Sequence, residues 1–78
     1  MRIEDTLIGV FVEVFHLADP LIATTLTYRQ LGWDSTTHMI LISKVEETFH
    51  IVMETEHVFA FKSFSKGVDV VRKLLEED

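Results

Sequence analysis

Asp34-Ser35-Thr36-Thr37-His38-Met39-Ile40-Leu41-Ile42-Ser43-Lys44-Val45-Glu46-Glu47-Thr48-Phe49 is the stretch on which the fold turns. Met39, Ile42, Val45 and Phe49 recur at spacings of three and four, which places them on one face of a helix. Asp34 and Ser35 stand just before that run, where an N-cap belongs. The spacing predicts a helix over Ser35 to Phe49 with those four residues inward. Ile40 and Leu41 admit two readings, ordinary packing in a crowded core or an apolar docking patch on the outer face.

Upstream, Ile3, Leu7, Val10 or Phe11, and Val14 repeat the same period, predicting a helix over Ile3 to Phe15. Asp19-Pro20 breaks the pattern, and His16 to Asp34 reads as a long connection. Its anchors onto the body are expected to be Leu17, Leu21, Ile22, Leu26, Tyr28 and Leu31. Downstream, Ile51-Val52-Met53 reads as extended, and Thr55-Glu56 is placed to cap a short helical turn through His57, Val58 and Phe61. Ser63 or Ser65 then caps a last helix ending near Glu77, with Val68, Val71, Leu74 and Leu75 as its apolar stripe and Phe64 as an N-terminal hydrophobic staple. Gly67 in its first turn costs about 1 kcal/mol against alanine, which suggests a close helix contact there. Three main helices and a short one predict an all-α chain, a small antiparallel four-helix bundle with a long loop between helices I and II.

The chain has 78 residues, 47% of them apolar, and these fit one domain over residues 1–78. A core of this size supplies about 3–5 kcal/mol net. With no cysteine, disulfides, zinc–thiolate sites and thiol nucleophiles are excluded together. No apolar run is long enough to span a bilayer. Met1-Arg2-Ile3-Glu4-Asp5 has two acids where a signal peptide is basic, and the expectation is a free-standing cytoplasmic protein. The net charge of −6 argues against nucleic acid as a partner. That charge is uneven. Asp34 to Glu56 holds five acids against Lys44 alone, for −4, which reads as a solvated helix face or as an acidic docking surface for basic partners.

Two catalytic readings are weak. Gly32-Trp33-Asp34-Ser35-Thr36 lacks the second glycine of a nucleophile elbow, and Asp34, Ser35 and His38 stand too close in sequence to form an obvious relay. His16, His38, His50 and His57 include no pair at the i, i+4 spacing of helical metal ligands, so no metal site is expected. His38 shares a helical face with Ser35 and is placed to lie beside whatever Ser35 carries. A chain this short rarely encloses a deep pocket, so no catalytic residue is assigned.

Leu31-Gly32-Trp33-Asp34-Ser35, followed by Thr36-Thr37-His38-Met39, resembles the motif that opens the second helix of the acyl carrier protein family and its peptidyl carrier relatives. The resemblance covers nearly the whole chain. An apolar first helix, a long loop, the Asp-Ser motif, Val45-Glu46-Glu47-Thr48-Phe49 and Phe64 before Gly67-Val68 follow in family order. It implies a 4'-phosphopantetheine arm on Ser35, drawn from coenzyme A by a phosphopantetheinyl transferase. Asp34 would help position the transferase's cation or simply favour the helix N-terminus. Trp33 would brace the motif, contact the arm or, the favoured role, cover the core.

An acyl- or aminoacyl-loading enzyme and downstream synthases or transferases are the implied partners, and a monomer is the family default. The implied docking surface comprises Glu46, Glu47, Ile40, Thr36 and Met39, with Glu13 as a further acid. The family usually has leucine or another apolar residue where Thr36 stands, and often acids near Thr37 and Ile40. Those departures point away from primary fatty acid synthesis and toward a discrete carrier of a polyketide or nonribosomal-peptide pathway. A non-covalent acidic helical adaptor is the alternative, and it predicts that Ser35→Ala is silent. A small hydrolase would instead react with a serine-directed probe.

Overall fold

In a computed structural model that describes residues 2–76, the chain folds as an all-α bundle. Helices α1 (Ile3–Phe15), α2 (Ser35–Phe49), α3 (Thr55–Ala60) and α4 (Phe64–Glu76) follow in order, with a 3-10 helix, Pro20–Thr25, between α1 and α2. The bounds of α1 and α2 are those the periodicity predicts. The expected end of the last helix at Glu77 lies outside the described residues. α1 is the hub, packing against α2, α4 and the 3-10 helix. Its Phe11 is fully buried and meets Trp33 edge to face at 5.5 Å and Phe64 edge to face at 5.3 Å. Lys44 of α2 pairs with Glu13 of α1 at 2.8 Å, and the Glu13 carboxylate raises the Lys44 pKa by accepting a hydrogen bond from the ammonium and by its negative charge.

The caps explain where the helices stop. α1 and α2 both end in a histidine, His16 at φ 55° and His50 at φ 57°, in the left-handed region that usually calls for glycine. In each, the N–H of the next residue reaches back past the cap, Leu17 to Val12 and Ile51 to Glu46, both at 3.2 Å. α3 is capped by Glu54, one residue earlier than Thr55-Glu56 predicts. Its side chain accepts from the His57 N–H, and its own N–H donates to His57 Nδ1 at 3.0 Å, a closed reciprocal pair. α4 is capped by Ser63, whose Oγ accepts from Lys66 N at 3.0 Å. Phe64 is therefore the first residue of α4, buried in the core, and not the staple outside it.

The long connection is anchored differently from expectation. A 3-10 helix has three residues per turn, so Ala23 and Leu26 face inward together and are buried. Leu21, Ile22 and Leu31, expected as anchors, are exposed, while Leu17 and Tyr28 are half-buried. Farther on, Tyr28 N donates to Lys62 O at 2.8 Å and Phe64 N to Leu26 O at 3.0 Å, fastening the loop to the α3–α4 link. The close contact expected at Gly67 is present, but with a ring: a Cβ there would lie 2.4 Å from Phe61 Cζ.

Candidate functional site

The segment before α2 is a tight turn wound on itself. Arg29, Leu31 and Gly32 have φ of 85°, 49° and 79°, and only the last is glycine. Arg29 N donates to Trp33 O and Trp33 N to Gln30 O, both at 2.9 Å. The turn drives Trp33 into the core, where it is fully buried. Asp34 and Ser35, the next two residues, emerge into solvent. Trp33 thus takes the core-covering role, and by doing so it fixes where the following serine stands.

One turn into α2, His38 closes on Trp33. Trp33 Nε1 donates to His38 Nδ1 at 2.9 Å, and His38 Nε2 pairs with the Val58 carbonyl at 2.9 Å. An indole N–H only donates and a carbonyl only accepts, so the imidazole carries its proton on Nε2. His38 is buried in the core, with both ring nitrogens engaged. This corrects its expected position beside the arm. It ties the turn, α2 and α3 into one unit instead. The other histidines also have structural posts, His16 and His50 as C-caps and His57 in the α3 cap. Among the described residues no cluster of His, Cys, Asp and Glu is arranged to hold a metal.

Asp34 alone is the N-cap of α2; Ser35 is its first helical residue. Asp34 Oδ1 accepts from Thr37 N at 2.8 Å, and that bond, aided by the Thr37 hydroxyl, holds the carboxyl below its ordinary pKa. The Ser35 hydroxyl stands outside the capping bond and is exposed. It opens onto a shallow depression of ≈ 370 Å³ lined by Tyr28, Arg29, Gly32, Trp33 and Asp34. The first-turn N–H groups of α2 lack intrahelical acceptors and lie at the positive end of the helix dipole, an environment that suits an anion. These residues fit a phosphodiester on Ser35: an accessible oxygen, a polar first turn and open space in front of it.

The expected docking residues divide. Thr36, Met39, Ile40 and Glu47 are exposed, Met39 at 54% and Ile40 at 56%. Met39 does not belong to the inner face as its spacing predicts. That face is His38, Leu41, Ile42, Val45 and Phe49, so Leu41 is core and Ile40 is surface. Met39, Ile40, Ser43, Lys44 and Glu47 border an open groove on the outside of α2. Glu46 is half-buried, and its Oε2 accepts from Met53 N at 2.8 Å. It pins the extended segment after α2, a duty that the sequence did not signal.

A family model described as "Phosphopantetheine attachment site" matches residues 5–71. Searches of the curated proteins and of the solved structures returned no match.

Proposed function

The chain belongs to the phosphopantetheine-attachment family, and from that membership we propose that Ser35 is the residue on which the arm is carried. Domains of this family are sites of covalent 4'-phosphopantetheine attachment; they are carriers, generally without catalysis of their own, and they work with a phosphopantetheinyl transferase and partner enzymes. When attached, the arm supplies the thiol that holds an acyl or aminoacyl group as a thioester. The observation that carries the assignment is the exposed Ser35 hydroxyl at the first position of α2, with Asp34 supplying the cap in its place.

In loading, Ser35 Oγ forms the new O–P bond to the pantetheine phosphate of coenzyme A. The pyrophosphate P–O bond of coenzyme A breaks, the hydroxyl proton passes to a base of the transferase, and the adenosine bisphosphate half departs with the bridging oxygen. Trp33 and His38 hold the serine in register, and Asp34 faces the same solvent, open to the transferase's cation. The whole chain acts as one carrier domain, a monomer with no active site of its own.

Partners dock on the outer face of α2 through Thr36, Met39, Ile40 and Glu47, with Glu46 beside them. The contact is small and weak, as a carrier that leaves each enzyme after one step requires. The apolar Met39 and Ile40 on that face support a discrete carrier of polyketide or nonribosomal-peptide type over one of primary fatty acid synthesis. Glu47→Lys slows loading by such partners with the fold intact. Incubation with coenzyme A and a broad-specificity phosphopantetheinyl transferase tests the central step. The intact mass gains one phosphopantetheine in the wild type and none in Ser35→Ala. An unmodified wild type, beside a control carrier that is modified, would move the adaptor reading ahead.

A further inference from the structure

Among the described residues only Lys44 and Arg72, of the seven cations, are held in ion pairs. Lys44 pairs with Glu13 at 2.8 Å, and Arg72 with Glu4 at 3.5 Å and with Asp69 at 3.7 Å. Arg29 and Lys62 have no carboxylate within ion-pair distance among the described residues. Both instead attend Tyr28, with Arg29 Cζ at 5.9 Å and Lys62 Nζ at 4.9 Å from its ring centroid. Tyr28 and Arg29 border the depression onto which Ser35 opens. Arg29 therefore borders the site with no carboxylate partner among the described residues, in a chain of net charge −6, while Lys62 sits over the neighbouring Tyr28 ring.

A phosphodiester on Ser35 adds a negative charge beside the Asp34 carboxylate, which is itself committed to Thr37 N. Like charges at adjacent residues repel, and the helix dipole offsets only part of that. We infer that Arg29 is the counter-ion of the arm's phosphodiester in the modified protein. Its backbone is pinned by the bond from Arg29 N to Trp33 O at 2.9 Å, so the side chain starts from a fixed point at the rim of the depression. In the unmodified chain the guanidinium rests near the Tyr28 ring. On modification it exchanges that contact for charge-assisted hydrogen bonds to the phosphate oxygens, and Lys62 keeps the ring.

The inference rests on Ser35 being the attachment point, and the test separates the two. The transferase product is mapped first; modification elsewhere, or none, overturns both. With the arm on Ser35, the Arg29 Nε–H resonance moves between the unmodified and modified protein, and added salt reverses part of the shift. The resonances of Arg2 and Arg72 stay in place. Arg29→Gln leaves the melting midpoint of the unmodified protein near that of the wild type but lowers that of the modified protein by about 2–4 °C. An Arg29 resonance that ignores the arm, with equal midpoint changes in both proteins, would overturn the counter-ion role and leave Ser35 as the attachment point.

Discussion

Replacing His38 with leucine keeps the side chain's bulk but deletes both of its hydrogen bonds. Trp33 Nε1 then loses its acceptor in a residue with no exposed surface. The Val58 carbonyl loses its donor, but Val58 is half-exposed and water can replace it. A buried orphan donor costs about 1–3 kcal/mol and a partly wet carbonyl lies at the low end of that range. His38→Leu should therefore cost about 2–4 kcal/mol, against a reserve of about 3–5 kcal/mol for a chain of this size. Urea unfolding followed by far-ultraviolet circular dichroism reads the change.

The sharper test is a cycle with Trp33→Phe. Alone, that substitution loses packing and strands the His38 acceptor. On the His38→Leu background it removes an orphan donor, so the two costs should fall short of additive by about 1–2 kcal/mol. Loading of Ser35 should fall only in proportion to the unfolded fraction. A His38→Leu protein within about 0.5 kcal/mol of wild type, or strictly additive costs, would refute the claim that this pair locks the turn to α2.

Gly67→Ala sets about 1 kcal/mol of helix propensity against overpacking of about 1–3 kcal/mol. Phe61, 2.4 Å from the added carbon, is fully buried between Phe11, Trp33 and His38 and has nowhere to turn, so stability should fall; a raised melting midpoint would contradict this. His50→Gly relieves a left-handed residue at the end of α2 and should add about 0.5–1 kcal/mol by urea unfolding. Asp34 contributes stability that is complete above its ordinary pKa of 3.8 and is lost as pH falls through its lower folded value. Asp34→Asn keeps the cap acceptor and should remove that acid dependence while preserving the helix, so any fall in its loading rate measures the carboxylate's charge toward the transferase.

α1 and α2 were legible because each carries a long apolar period with a clear end, and Gly67 announced its contact by standing where alanine is favoured. Met39 borders the apolar stripe, so its spacing alone does not separate an inward from an outward place on the wheel. A histidine normally reads as polar, but His38 takes the inner place because Trp33 and a carbonyl twenty residues away satisfy it. No local pattern encodes that pairing. The 3-10 helix, with Ala23 inward and Leu21 outward, follows a period of three that a search at helical period passes over. Glu46 read as a surface acid because its bond to Met53 N exists only once the chain doubles back. Asp34-Ser35 was visible as a pair, but which of them caps and which stands free depends on backbone geometry at Trp33.

The most direct test locates the added group. Trypsin cuts after Arg29 and Lys44, releasing a peptide whose hydroxyls are Ser35, Thr36, Thr37 and Ser43. Fragmentation of that peptide from the transferase product should place the phosphopantetheine on Ser35 alone. Its appearance on Thr36, Thr37 or Ser43, or on any other peptide, would contradict the assignment of Ser35 as the carrier residue.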